Sequence, residues 1–191
     1  MTAIVGPRPT TTAHGTERPV PPWASITAHA IPLLLLPQCL WRLPFAFGFE
    51  MGLDVDGAIP SLWVSVPYVF GLSLITEGLA LLSFGLVRGW GEVAPAWLPF
   101  IGGKRIAPSA AIIPATLGGL GATVFWAPVL LSWFGVGDAA PFSSDGWRTL
   151  AHLCIAPGML WGPLVLVLTY AYYTRRRPAK HHGHSGGSVA A

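Results

Sequence analysis

Four stretches of this chain run for more than twenty residues with almost no interruption of their apolar character, and the polar residues between them fall into short clusters. The stretches cover 24–49, 61–87, 109–136 and 149–173. A helix rising about 1.5 Å per residue needs about 20 such residues to cross a hydrocarbon core roughly 30 Å thick, and each stretch is long enough. None alternates apolar and polar side chains with the period of two that a lipid-facing strand requires. Within hydrocarbon only helices and closed barrels satisfy their own backbone, so the pattern predicts an all-α integral membrane bundle of about four transmembrane helices.

The remaining segments divide the chain. Residues 1–22 are rich in Pro and Thr and carry too little apolar surface to offset the entropy of ordering, which predicts a disordered head. No basic segment leads directly into a short apolar run with a cleavage site, so the head does not read as a signal peptide. Residues 178–191, PAKHHGHSGGSVAA, predict a disordered tail by the same argument. Its HHGH is a candidate for adventitious metal binding, against which a solvated tail is the favoured reading. The transmembrane domain then covers 23–177.

Composition sharpens this picture. The chain is 52% hydrophobic and 10% charged, with mean hydropathy +0.57, too few charges for the surface of a water-soluble fold. A net charge of +3 and a pI near 9.2 would fit a nucleic-acid partner. The basic residues, however, flank the apolar runs, where they act as topology anchors, and the expectation is no nucleic acid.

Those anchors predict orientation. Glu50, Asp54 and Asp56 lie between the first two spans, and Asp138 and Asp145 between the last two, with Arg148 at the edge. Arg88, Lys104 and Arg105 lie between the second and third, and Arg175, Arg176, Arg177 and Lys180 follow the fourth. The positive-inside rule places the basic connections and both termini in the cytoplasm of a plasma (inner) membrane protein. Tyr170, Tyr172 and Tyr173 fall at the inner boundary and Trp63, Trp133 and Trp147 near the outer one, as aromatic belts do.

Small residues suggest which helices meet. The third span carries Ala111, Ala115 and Gly119 at four-residue spacing beside Gly118 and Ala122, and the fourth carries the pair Gly158 and Gly162. Small residues let backbones approach closely, so the third and fourth helices are expected to pack together. Prolines recur in every span (Pro32, Pro37, Pro44, Pro67, Pro114, Pro128, Pro157, Pro163) and predict kinks. Ile31-Pro32 with Trp41 and Pro44 parallels Ile113-Pro114 with Trp126 and Pro128, a hint of two repeated helical hairpins.

Ionisable side chains inside a span are costly, so each is a functional candidate. Arg42, Glu77, His152 and His29 are the interior polar candidates, and Cys39 with Cys154 is the candidate thiol pair. Counting the rise along each helix sets Cys39, Arg42, His152 and Cys154 in the outer half, where they would line one externally accessible pocket suited to an anionic or redox-active ligand. Isolated cysteines are more often small buried apolar residues, and no CxxC motif is present. The same count puts Glu77 nearer the cytoplasm, within reach of His29. There a proton-coupling role competes with a plain interhelical hydrogen bond. Arg42 has Glu50 as an alternative partner or can extend toward the outer surface.

The connection RGWGEVAPAWLPFIGGKRIAPS is expected to lie along the membrane interface, Trp90, Trp97 and Phe100 in the headgroup layer and Lys104 and Arg105 contacting anionic lipid headgroups. Its GGKR lacks the spacing of a phosphate-binding loop, and no HExxH or GxSxG motif or paired metal-ligand motif occurs, so no catalytic residue, metal site or cofactor is predicted.

Two segments, WRLPFAFGFEMG from Trp41 and RGWGEVAPAWLPFIGGKRIAPSAAIIPA from Arg88, resemble a family of uncharacterised bacterial multi-pass membrane proteins; the order GEV, P, WLP, GGKR is the most specific part. The resemblance implies a fold type and a membrane location and carries no activity. The leading expectation is a non-enzymatic transport component or membrane partner subunit, forming a homo- or hetero-oligomer in the bilayer. The alternative is a membrane redox protein using haem on His29 and His152 or a Cys39/Cys154 dithiol.

Overall fold

The structure, a computed structural model, describes residues 19–54, 61–94, 96, 102–138 and 140–176. The head, apart from residues 19–22, the tail, and the positions of Trp97 and Phe100 lie outside the described residues.

Among the described residues five α-helices make up the bundle: α1 Pro22–Arg42, α2 Leu62–Leu82, α3 Pro108–Trp133, α4 Asp145–Met159 and α5 Trp161–Arg176. Proline opens α1 and α3, where its missing N–H costs nothing, and Ser144 caps α4 by accepting from the Trp147 N–H. Short 3-10 turns extend α1 through Phe47 and α2 through Leu86. With these extensions, and with α4 and α5 taken together, the described residues contain four helical segments long and apolar enough to cross a membrane.

The fourth stretch is interrupted. A residue bearing a proline four positions on has its carbonyl crowded by the ring and loses the matching N–H, and Pro163 does this to Met159. The helix accordingly breaks at Leu160, whose N–H bonds instead to Pro157 O at 3.2 Å. Pro44 acts in the same way on Leu40 and coincides with the change of α1 to a 3-10 turn. Pro32, Pro37, Pro67, Pro114 and Pro128 are accommodated inside continuous helices.

The helices run antiparallel between two ends. The start of α1 and the end of α5 lie at one, hereafter the termini end, and the described parts of the connections after α1 and α3 lie at the far end. Those two loops are tied together: Leu53 bridges Phe142, and Asp54 N–H bonds to Pro141 O at 2.9 Å. Trp147 packs its ring against Trp41 and Phe49, with centroids 6.3 and 6.1 Å away. It leaves no room for a side chain at Gly52, whose positive φ also favours glycine.

Packing follows the small residues. α3 makes its closest approach to α5, while α1 packs against α2, α4 and α5. Gly119 and Gly162 form the α3/α5 contact: a Cβ on Gly119 would come within 2.9 Å of Leu166, and one on Gly162 would strike Gly119 O at 2.6 Å and the Thr123 backbone. Gly158 is used differently, fitting the side chain of Gln38 on α1. The main apolar cluster lies toward the termini end, where Ala24, Ala28, Ile31 and Leu35 form one stripe of α1 against Ala80, Leu168 and Tyr172. Large apolar residues face outward all around the bundle: Trp63 is 91% exposed and Val124 and Phe125 each 70%. Such a belt finds its solvent in hydrocarbon.

Candidate ligand-binding site

At the far end α1, α3 and α4 enclose a cavity of about 670 Å³. Arg42 and Gln38 enter it from α1, Trp126 and Trp133 from α3, and Arg148 and His152 from α4. The His152 ring lies over Trp133 at a shallow tilt with centroids 4.4 Å apart, which fixes the imidazole against the cavity wall. Arg148 is held by Asp145 at 2.6 Å on the exposed rim.

Among the described residues Arg42, unlike Arg148, has no ion-pair partner. Its Nη1 is buried without a protein hydrogen-bond partner, and neither Glu50 nor any other described carboxylate lies within ion-pair distance. Beside it Gln38 is 4% exposed, and its Oε1, set against Gly158, also lacks a partner. Buried polar atoms are nearly always hydrogen-bonded, and leaving one unpaired costs about 1–3 kcal/mol. One is a donor and the other an acceptor, and in the wall of one cavity their hydrogen bonds are completed by a ligand or by water.

Both side chains, with Trp126, also line a second cavity of about 690 Å³. It lies between α2 and α3, which have no substantial contact with each other, and is closed at its base by Trp90, Gly91 and Ile106.

The structure brings together some of the expected residues and separates others. Arg42 and His152 share the far-end cavity; Cys39 and Cys154 do not line it. Cys39 points to α2, its Sγ 3.9 Å from both Ser73 O and Glu77 Oε2. Glu77 is therefore level with Cys39, not below it with His29. His29 is exposed, bonds through Nδ1 to Ser25 O at 2.7 Å, and meets the Phe84 ring edge-on at 4.8 Å. The cause is an axial offset. The pairings of His29 with Phe84, Cys39 with Ser73 and Phe47 with Phe70 place α2 about one helical turn along α1 from the register that matched midpoints would give.

For the redox reading, His29 lies toward the termini end and His152 at the far end, so one haem iron would not be ligated by both. Both cysteines are free thiols. A thiol titration of unfolded protein is expected to give the same value with and without prior reduction; a rise after reduction would restore the dithiol reading.

At the termini end the structure shows a polar cluster that the charge pattern did not announce. Glu92 and Arg175, 3% and 9% exposed, pair at 3.5 Å. Arg175 Nη2 donates to Leu86 O at 2.6 Å, Tyr172 OH to Gly91 O at 2.9 Å and Arg176 Nη2 to Ile106 O at 3.0 Å. Gly91 lies directly on the Gly85 carbonyl and Gly85 on the Trp90 ring, so neither position admits a Cβ. The connection between α2 and α3, expected to lie along the interface, is instead folded in part against α5. Lys104 and Arg105, the candidate lipid contacts, are exposed or nearly so, with Arg105 bridging Val93. The one available signal was that Glu92 is the sole acidic residue in a basic connection.

Fold and site together define a helical membrane bundle with an arginine-centred cavity at one end. The chain matches no protein-family model, no curated protein and no solved structure.

Proposed function

We propose that this chain is a non-enzymatic transport component that receives a small anionic ligand in the far-end cavity. The observation that carries the proposal is Arg42, a cation with an unpartnered buried Nη1 donor, in a cavity that His152, Arg148 and Asp138 also line. A guanidinium offers several fixed N–H donors and matches carboxylate or phosphate geometry. The cavity is of a size that accepts small molecules.

Loop charges support the far end as the outer face of a plasma membrane. Glu50, Asp54, Asp138 and Asp145 cluster there, while Arg88, Lys104, Arg105, Arg175 and Arg176 cluster at the termini end. Cytoplasmic termini follow, and a C-terminal fluorescent fusion is expected to glow in intact cells; fluorescence from an externally matured reporter alone would invert the topology.

Binding is tested with butyl phosphate on purified full-length protein in nonionic detergent. Charge-assisted hydrogen bonds contribute about 1.5–3 kcal/mol, so Arg42→Gln is expected to weaken binding at least tenfold. Undiminished binding by a folded Arg42→Gln variant would remove the proposal.

A further inference from the structure

The cavity between α2 and α3 has the wrong lining for a water-soluble anion. Its walls are Leu72, Ile75 and Leu79 of α2 and a run of small residues on α3, including Gly118 and Gly121. Thr76 lines it too but donates its hydroxyl to Leu72 O at 2.8 Å, and Ser83 lies near the closed base. The polar atoms without partners come from one end, from Arg42 and Gln38. Along α3 the lining extends from Trp126 to Ala110, more than four helical turns. Neither Gly118 nor Gly121 has any atom within 4 Å of where a Cβ would sit, so the space beside them is unfilled by protein.

A long apolar trough, open on the side where α2 and α3 part and headed by an unpaired guanidinium, has the dimensions and charge of an amphiphile. We infer that the ligand is an anionic amphiphile with one long alkyl or prenyl chain, drawn from the bilayer. Its head accepts from the Arg42 guanidinium, and its chain lies between α2 and α3 against Gly118 and Gly121. This rests on the assignment of Arg42 as the anion-binding group. A packed second copy of the chain would supply apolar side chains to the trough and leave Arg42 without its anion. An anionic head supplies the missing charge, and its chain meets a lining to which hydrocarbon is the natural complement.

The experiment is equilibrium binding to the full-length protein in nonionic detergent, with native mass spectrometry to count bound molecules. Hexadecyl phosphate is expected to saturate at one per chain and to bind at least tenfold more tightly than butyl phosphate, hexadecanol or hexadecyltrimethylammonium. Gly118→Leu and Gly121→Leu place side chains in open space and are expected to lose hexadecyl phosphate at least tenfold while keeping butyl phosphate. If those variants prove unfolded, affinity in the wild type is still expected to rise with alkyl length from butyl to hexadecyl phosphate. Equal affinity for the two phosphates, lost in Arg42→Gln, would overturn the amphiphile and leave the anion site standing. Binding of both phosphates that is indifferent to Arg42→Gln would overturn the two together. Several hexadecyl molecules per chain, whatever their head, would mean surrounding lipid only, and a ligand-independent dimer that resists both leucines would assign the trough to a second copy.

Discussion

Arg175→Ala is expected to lower stability by about 3–5 kcal/mol, because it breaks the ion pair with the almost fully buried Glu92. For a chain of this size the thermal transition in detergent should fall by about 6–20 °C. The loss exceeds that of an ordinary surface arginine because Arg175 also donates to Leu86 O at 2.6 Å and lies over the Tyr172 ring, 5.7 Å from its centroid. Replacing both members by apolar residues, Glu92→Leu with Arg175→Met, is expected to recover much of the deficit, since the desolvation cost of both charges disappears. A transition unmoved by Arg175→Ala would mean that the pair is solvated and the end of the bundle open. The same variant bears on the trough, whose base is formed by Gly91 and Ile106, the residues whose carbonyls accept from Tyr172 and Arg176. Loosening this closure should weaken hexadecyl phosphate more than butyl phosphate, which makes no use of that base.

How much of this was legible beforehand depended on the range of each interaction. Four spans follow from hydropathy because insertion in hydrocarbon is decided segment by segment, and the structure has four segments long and apolar enough. The meeting of Gly119 with Gly162 was also legible, since close approach of two membrane helices needs small residues locally on each. Gly158 belonged to the same spacing pattern and yet serves Gln38. A GxxxG pair marks where a backbone can be approached without naming which neighbour approaches it. Depth counting failed for Glu77 because it supposes helices aligned at their midpoints, and α2 is shifted along α1. Arg42 and His152 survived that error, each lying near the far end of its own helix. Glu92 and Arg175 were hidden for another reason. Charges beside apolar runs read as solvated anchors, and nothing in the pattern says that a connection folds back over a helix end to bury one of them. Gln38 joins the site through tertiary placement, since its burial beside Arg42 in the cavity wall depends on how α1 meets α4 and not on the local pattern.

Gly162→Ala is expected to be among the most damaging single methyl additions in the bundle. Its Cβ would contact Thr123 Oγ1 and come within 2.6 Å of the Thr123 nitrogen and of Gly119 O. Two of those atoms are backbone and cannot rotate aside, so α3 and α5 must separate along their closest contact. Overpacking of this kind costs about 1–3 kcal/mol, more when backbone must move. Gly118→Ala, one position from Gly119 on the same helix, supplies the contrast. Nothing lies within 4 Å of its added Cβ. Alanine gains about 1 kcal/mol over glycine in helix propensity, so the transition should hold or rise. Gly162, the second residue of α5, gains less from propensity than Gly118 inside α3, and the backbone clash is the larger difference between them. Because α5 is what holds α3 in place, and α3 forms one wall of the trough, Gly162→Ala should also reduce hexadecyl phosphate binding in protein that remains folded. Equal thermal transitions for the two alanine variants would show that α3 and α5 are not in backbone contact, and with that the wall position on which the trough depends would be lost.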